Sequence, residues 1–363
     1  MKRAASLFAV VVLSTGVAYG ATGKPDFGNY VGSDTLNPAP KLPTTGPSSF
    51  LSLPDVSGAV HSTITMTLPA DGDDASYPVD LTGASLYDNL LSNCAVSDNG
   101  YITCNGASSL FDNQALPDAR FGAQVVIAPY FDDLTPIPGT LTIDVWTEAG
   151  AFTIVQWTDF ALYGDPSSRL TFRAIFQLGD PTNEGSVVFQ YLKMMGANGS
   201  SATIGLQRPG VTAWNQYSYN TAGAVTTGTA GAGAALQAIA FGYDQDGDRL
   251  STVFESAIGT DPTLHDSDTG GLDDGAELAA GKDPLAAGDD GATTDTDSDG
   301  VTDANEMFYG TDKTRADTDG DSTTNTSLND AEELYTVHTD PTKADTDGDG
   351  GADGAEIDAG TDP

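Results

Sequence analysis

The residues best suited to do chemistry are carboxylates that recur at fixed spacing in the C-terminal third of the chain. From Asp295 to Glu306, acidic residues stand at positions 1, 3, 5, 9 and 12, and Gly300 stands at position 6. Oxygen ligands with this spacing wrap a calcium ion, glycine at position 6 allows the sharp turn, and the carbonyl at position 7 adds a ligand. The run from Asp345 to Glu356 repeats the pattern. Both runs therefore predict calcium loops.

Three further runs keep most of this pattern, which makes five units starting at positions 244, 266, 295, 317 and 345, here called units 1 to 5. Starts 22 to 29 residues apart mark an internal repeat. The predicted calcium ligands are Asp244, Asp246, Asp248 and Glu255 in unit 1; Asp266, Asp268, Asp274 and Glu277 in unit 2; Asp295, Asp297, Asp299, Asp303 and Glu306 in unit 3; Asp317, Asp319, Asp321, Asp330 and Glu333 in unit 4; and Asp345, Asp347, Asp349, Asp353 and Glu356 in unit 5.

Three of the units depart from the full pattern. Unit 1 has Arg249 at the glycine position, which would bring a positive charge and a Cβ into the turn. Unit 2 has Gly270 at position 5, where we expect a water ligand. Unit 4 carries about five extra residues within Ser322–Ser327. Because ligand charge and rigidity set calcium affinity, units 3 and 5 are predicted to fill first.

Short helices are expected to follow the loops. A glycine and then Thr-Asp-Pro stand a few residues after position 12, at Gly259 and Gly360, and glycine caps a helix end that proline cannot continue. Only three residues separate Pro262 from Asp266, so no helix fits before that loop and an EF-hand is excluded. Residues 244–363 thus resemble the bacterial form of thrombospondin type 3 repeats and, more weakly, dockerin calcium loops, which occur in two copies. The resemblance implies calcium-bound repeats in tandem, with metal replacing most of a hydrophobic core.

The charge of the chain is concentrated in the same segment. The whole sequence has 52 acidic and 14 basic residues, a net charge of −38, and residues 244–363 have 33 acidic and 5 basic residues, a net charge of −28. Without ions such a segment repels itself and buries too little apolar surface to fold. A disordered acidic tail is the alternative, but random acidity would not reproduce the ligand spacing. The acidity also excludes nucleic acid as a partner.

The N-terminus predicts export. Met1–Arg3 is basic, Ala4–Val12 is largely apolar, and Ala18–Gly20 is a small-residue cleavage site, so residues 1–20 read as a signal peptide, with a retained anchor as the alternative. We expect a secreted or cell-surface protein without a transmembrane segment in the mature chain. Residues 21–50 are rich in Pro, Gly, Ser and Thr and form a predicted lead-in.

Residues 51–243 predict a β-sandwich domain. Short alternating segments separated by turn residues favour that architecture. The predicted strands are Leu141–Trp146, Phe152–Trp157, Leu170–Leu178, Ser186–Tyr191, Ala202–Gln207 and Leu236–Phe241, with a loop at Thr221–Ala235. The fold class is therefore mainly β: a β-sandwich domain followed by a tandem array of calcium-binding loop repeats with short helices at 244–363.

The two cysteines predict a disulfide across a hairpin. A three-residue loop at Asp98–Gly100 would place Cys94 opposite Cys104, and an exported protein favours their oxidation. Ser97–Ile102 and Ala128–Leu134, with the strands that follow, resemble the nidogen-like domain of extracellular matrix and bacterial surface proteins over about 90–243. The resemblance implies adhesion or matrix assembly rather than a reaction. The Tyr-Phe pair at 130 and 131 departs from the usual Phe-Trp.

The sequence gives little indication of a catalytic site. His61, His265 and His338 lie in no metalloprotease or triad motif, and the last two are expected to have exposed structural roles. Asp132 and Asp133 could be paired carboxylates, but a polar turn after a buried strand is the better interpretation. Trp146 and Trp157 are expected in the core.

We predict a non-enzymatic, exported, calcium-binding structural or adhesion protein. Its β domain would bind extracellular matrix, a surface glycan or another copy of itself, and the array would be a spacer. The alternative is a secreted carbohydrate-binding module or hydrolase with a dockerin-like tail.

Overall fold

A computed structural model describes the chain from Gly58 to Pro363 with gaps. The described residues are 58–66, 74–86, 89–137, 142–178, 185–208, 214–222, 224–225, 237–242, 244–250, 252, 255, 258–291, 293–346, 350–361 and 363. The predicted signal peptide, the lead-in, most of the loop at 221–235, and two predicted ligands, Asp347 and Asp349, lie outside them.

The strands belong to the first two thirds of the chain. They are β1 Val60–Thr65, β2 Ser76–Val79, β3 Ser85–Leu86, β4 Asn89–Leu90, β5 Cys94–Ser97, β6 Ile102–Cys104, β7 Val125–Phe131, β8 Leu134–Pro136, β9 Thr142–Glu148, β10 Phe152–Leu162, β11 Asp165–Gln177, β12 Ser186–Met195, β13 Thr203–Gln207, β14 Trp214–Tyr219 and β15 Gln237–Gly242. Within the described residues they form two antiparallel sheets and one small hairpin, β3-β4. The predicted strands are confirmed, although β10 and β11 are longer than expected.

The strand order shows how the sandwich is built. The larger sheet has the order β1-β9-β10-β11-β12-β15, with β8 beside β10, and the smaller has the order β14-β13-β7-β6-β5-β2. Alternation sets the buried faces: Leu170, Phe172, Ala174 and Phe176 of β11 all lie in the core. A short 3-10 helix, Ala119–Phe121, precedes β7.

Two aromatic side chains tie the sheets together. Trp157 of β10 is fully buried, and its Nε1 donates to the Ser97 carbonyl of the other sheet at 2.8 Å. The Tyr191 hydroxyl donates across the core to the Pro129 carbonyl at 2.6 Å. The expectation that Trp146 also lies in the core is wrong. On β9 it is on the opposite face from Ile143 and Val145, where it stacks on His61 with ring centroids 4.7 Å apart.

The cysteine hairpin has the expected register. Ala95 pairs with Thr103, and Cys94 and Cys104 form a disulfide. Gly100 has φ 74°, and a Cβ there would lie 2.0 Å from the Tyr130 carbonyl oxygen, so glycine is required at the turn. Local turn chemistry thus positioned both cysteines.

Short helices follow the acidic loops, as predicted. They are α1 Asp274–Ala280, α2 Asp303–Tyr309, α3 Asp330–Glu332 and α4 Asp353–Ala359, and a π-helical turn, Glu333–Val337, continues α3. Gly281, Gly310 and Gly360 end α1, α2 and α4 in the left-handed conformation. Within the described residues, no helix has both the length and the apolar character needed to cross a membrane.

The array is joined to the sandwich by a shared core. The last strand, β15, leads directly to unit 1 at Asp244. Leu250, Ile258 and Leu278 from units 1 and 2 belong to the same buried apolar cluster as the sandwich interior. The first two units are therefore packed onto the β domain.

Candidate calcium sites in the acidic array

The first aspartate of each ladder folds its own loop. In unit 3, Asp295 accepts hydrogen bonds from the backbone N–H of Ser298 at 2.7 Å and of Gly300 at 3.2 Å. In unit 5, Asp345 accepts from the N–H of Gly350 at 3.0 Å. The loop turns because a short carboxylate satisfies backbone donors a few residues ahead.

The aspartate at position 9 closes the loop and starts the helix. In unit 3, the Asp303 carboxylate accepts from the N–H of Thr296 at 2.9 Å, and the Asp303 N–H donates to the Thr294 carbonyl at 2.7 Å. The same pair of bonds closes the other units that have an aspartate at position 9: Asp274 with Ser267 and His265, Asp330 with Thr318 and Ala316, and Asp353 with Thr346 and Ala344. Unit 4 closes in this way despite its insertion.

The glutamates at position 12 are buried, and most carboxylate oxygens of the first four have no hydrogen-bond donor within the described residues. Glu255, Glu277, Glu306 and Glu333 are each 0% exposed. Within the described residues, no donor reaches either carboxylate oxygen of the first three, or Oε2 of the fourth. Burial, with added repulsion from nearby carboxylates, raises the pKa of Glu255, Glu277 and Glu333 to about 10 and that of Glu306 to about 7. Such groups need a proton or a cation to remain in a folded chain.

Carboxylates of neighbouring units converge. Asp248 and Glu255 of unit 1 have oxygens within 4.8 Å of one another and of Asp274, which is position 9 of unit 2. All three residues are buried. At the junction of units 4 and 5, Asp321 accepts from the N–H of Gly354 at 3.0 Å. Burial, with the Asp353 charge contributing, raises the pKa of Asp321 to about 6. An ion at the junction of units 1 and 2 would have ligands from both units.

Other clusters lie within single units. Carboxylate oxygens lie within 4.8 Å of one another in three sets: Asp244, Asp246 and Asp248; Asp295, Asp297 and Asp299; and Asp317, Asp319 and Asp321. Asp303 of unit 3 is in none of these sets, and Lys313 Nζ lies 3.0 Å from its carboxylate. Positions 1, 3 and 5 therefore converge wherever the structure describes all three as aspartates.

In unit 2, a carboxylate from outside the ladder lies beside position 5. A Cβ on Gly270 would lie 1.8 Å from Asp290 Oδ2. Asp290 forms a cluster with Asp268 and Glu277, with oxygens within 4.8 Å of one another. Sequence reasoning missed Asp290 because it follows the ladder by more than ten residues. The extended spacing between units 2 and 3 was the only signal of it.

Arg249 does not bring its charge into the loop of unit 1. Its backbone takes φ 69°, and its guanidinium donates to the carbonyls of Phe308 at 3.0 Å and Tyr309 at 3.3 Å. The guanidinium carbon lies 4.8 Å from the centre of the Tyr309 ring. The cation therefore caps the carboxyl end of α2 in unit 3.

A buried aspartate links three units through hydrogen bonds. Asp273 of unit 2 accepts from the Tyr309 hydroxyl at 2.6 Å, the Tyr335 hydroxyl at 2.7 Å and Asn305 Nδ2 at 2.7 Å. His265 Nδ1 lies 2.9 Å from the same carboxylate, and its ring stacks on Tyr335 with centroids 4.0 Å apart. Units 2, 3 and 4 thus meet at one point, and His265 has a structural role with only partial exposure.

His338 also has a structural role. Its Nδ1 lies 2.9 Å from the Leu334 carbonyl, and its backbone takes φ 60° where the π-helical turn ends. It is half-buried rather than exposed. Neither histidine of the array takes part in the clusters described above.

Comparison with known families agrees with this geometry. A family model described as NIDO related matches residues 55–243. The chain belongs to the NIDO-related family. A model of the bacterial TSP3 repeat matches residues 295–312, 328–344 and 345–363. Both resemblances drawn from the sequence are therefore confirmed, and units 1 and 2 lie outside the matched repeat ranges. No curated protein and no solved structure matches the chain.

Asp132 is one of the buried acids of the NIDO-related domain, beside Asp98 and Asp118. Asp132 follows β7, is 7% exposed, and accepts from the Ser201 hydroxyl at 2.6 Å and the Asp133 N–H at 2.9 Å. Burial raises the pKa of Asp132 to about 6. These bonds fit the polar turn that the sequence favoured over a catalytic carboxylate pair.

Proposed function

We propose that this chain is an exported structural protein that binds calcium through units 1 to 5 and offers its NIDO-related domain as an adhesion or assembly surface. The observation that carries the proposal is the cluster of Asp248, Glu255 and Asp274, in which two units bury carboxylates together. Both oxygens of Glu255 lack a donor within the described residues. A divalent cation would satisfy all three.

The chemistry of the clusters favours calcium. The donors are carboxylate oxygens, which suit hard cations, and none of the described clusters contains histidine or cysteine, the ligands that zinc prefers. Calcium accepts six to eight oxygens in flexible geometry, whereas magnesium demands a small octahedron. The match to bacterial TSP3 repeats, a calcium-binding type, supports the same ion.

Calcium would act on the array as a folding ligand. The segment carries most of the negative charge of the chain, so ions would relieve repulsion and supply the stabilisation that a small apolar core cannot. Asp273 and Arg249 connect units 1 and 2 to units 3 and 4, so the units do not form an extended line in which each contacts only the next. The resulting spacer would be a compact, rigid block.

The role of the β domain follows from its family type. NIDO-related domains and TSP3 repeats are structural rather than enzymatic families, and we propose that the chain has no catalysis of its own. Its partner would be extracellular matrix, a surface glycan or a second copy of the chain. Binding to matrix and glycan arrays, with and without calcium, tests the first two, and light scattering tests the third.

Export and domain limits are part of the proposal. Residues 1–20 would be removed on export. The mature chain would then consist of a lead-in at 21–50, a β domain at 51–243 and an array at 244–363. N-terminal sequencing of protein recovered outside the cells tests the cleavage site. A start at Ala21 is expected, and a start at Met1 would refute processing.

The test of calcium binding is the variant Asp274→Asn, with Asp261→Asn, an exposed acid near unit 2, as the control. Because Asp274 joins two units, its change is expected to weaken calcium binding by about tenfold or more. Calorimetric titration of the full chain measures the effect. Equal titrations for the two variants would show that this junction holds no ion, and no binding by the unaltered chain would end the proposal.

A further inference from the structure

Unit 2 has a place for a carboxylate that its own ladder does not supply. Position 5 is Gly270, and the carboxylate of Asp290 occupies the space where a side chain at position 5 would begin. An added Cβ on Gly270 would lie 1.8 Å from Asp290 Oδ2 and 2.9 Å from Asp268 Oδ1. Gly270 therefore leaves the space that the carboxylate of Asp290, a residue outside the ladder, occupies.

The atoms around this place are buried and lack donors. Asp290 is 6% exposed and Glu277 is 0% exposed. Within the described residues, no hydrogen bond reaches Asp290 Oδ1, Asp268 Oδ2 or either carboxylate oxygen of Glu277. The three carboxylates have oxygens within 4.8 Å of one another. Like charges at that separation repel one another in a buried setting unless a cation lies among them.

The segment after α1 is folded so that Asp290 returns to the loop. Gly281 ends the helix with φ 74°, and the Lys282 N–H donates to the Glu277 carbonyl at 2.8 Å. Lys282 Nζ donates to the Asp290 carbonyl, and the Leu272 N–H lies 3.3 Å from Asp290 Oδ2. These contacts hold the backbone of Asp290 and fix one carboxylate oxygen, so the other is free to face a ligand.

We propose that Asp290, which belongs to none of the five ladders, completes a calcium site in unit 2 together with Asp268 and Glu277. The proposal rests on the calcium function proposed above and names a ligand for one of its sites. It also accounts for the longest interval between units, the 29 residues from Asp266 to Asp295, because the added segment supplies the missing carboxylate. Unit 2 would then hold calcium as a full site rather than as a weakened one.

The experiment compares Asp290→Ala with Asp289→Ala in the full chain. Asp289 is the adjacent carboxylate and is exposed, so the control removes the same charge without touching the cluster. Native mass spectrometry counts calcium ions per chain, and calorimetric titration gives their affinities. Asp290→Ala is expected to lose one ion or to weaken one site by about tenfold or more, whereas Asp289→Ala should match the unaltered chain.

A carboxylate swap provides a second arm. The double variant Gly270→Asp/Asp290→Ala returns the acid to position 5, and the backbone of Gly270 lies outside the left-handed region that disfavours other residues. It should recover the ion that Asp290→Ala loses. Gly270→Ala alone should weaken the site, because its Cβ meets Asp290 Oδ2.

The outcomes separate this inference from the wider function. If Asp290→Ala binds the same ions as Asp289→Ala while the chain still binds calcium, the inference is wrong and the proposed function stands. If the swap fails to recover the lost ion although circular dichroism shows intact helices, Asp290 does not act as the missing ligand. If the unaltered chain binds no calcium, both proposals fail.

Discussion

The NIDO-related domain and the acidic array bury different kinds of side chain. The domain closes two sheets over aromatic side chains such as Trp157, Tyr191 and Phe172, all fully buried. The array buries carboxylates such as Glu277 and Asp274, and its separate apolar cluster is built on Val301, Tyr309 and Leu334. The domain therefore contains its own source of stability, whereas the carboxylates buried in the array need a proton or a cation to neutralise them.

Calcium removal should show the largest difference between the two regions. With chelator, units 3 to 5 are expected to lose their short helices and expand, because ion binding supplies their folding free energy. The sandwich should remain folded, and its packing with Leu250 and Leu278 should hold part of units 1 and 2. Circular dichroism, small-angle scattering and hydrogen exchange check this. A scattering profile unaffected by chelator would contradict the comparison.

A core substitution should act on the domain alone. Trp157→Ala removes the buried indole and its hydrogen bond to Ser97, and is expected to destabilise the domain by about 3–5 kcal/mol. Trp146→Ala, on the outer face, is the control and should cost less. Denaturant unfolding of the calcium-loaded chain, followed by strand content, measures both. Equal losses for the two variants would mean that Trp157 does not anchor the core.

The disulfide should matter less than the core. The loop between Cys94 and Cys104 is short, so its closure is expected to stabilise the domain by at most about 2–3 kcal/mol. Reduction should lower the unfolding midpoint and leave calcium affinity unchanged. Alkylation followed by intact mass measurement reports the bond itself. Two reactive thiols in the native exported protein would show that it does not form there.

The smallest effect concerns Asp132, a buried acid of the domain whose pKa is raised. Its pKa is about 6 in the folded domain against 3.8 as its ordinary value, so its contribution is present below about 4 and is lost as pH rises through about 6. Asp132→Asn should therefore stabilise the domain at pH 8 by about 1–2 kcal/mol, allowing for the altered bond to Ser201.

Unfolding of Asp132→Asn at pH 4 and at pH 8 provides the measurement. The gain should shrink at the lower pH, where the unaltered carboxyl is protonated in the fold. A gain independent of pH would show that Asp132 keeps an ordinary pKa. Calcium should not alter the result, in contrast with substitutions at the array glutamates.

The local sequence pattern determined the strands, the turns, the helix ends and the acidic loops of this protein. Alternation placed the strands around Leu170 and Phe172, the turn at Gly100 set the cysteine pairing, and glycine caps marked the helix ends. The ladder spacing identified the loops because a carboxylate at position 1 or 9 folds its own loop through backbone donors nearby in sequence. Each of these features depends on residues close together in the chain.

Only the tertiary structure decided how the units meet. Asp290 reaches a loop that starts 24 residues earlier, and Arg249 and Asp273 are partnered by Phe308, Tyr309 and Tyr335, residues 36 to 62 positions away. No local spacing encodes these contacts, because they depend on how the loops pack once each has formed. The same holds for the buried junction of Asp248 and Asp274, where carboxylates of two ladders that are separate in the sequence lie within 4.8 Å of one another.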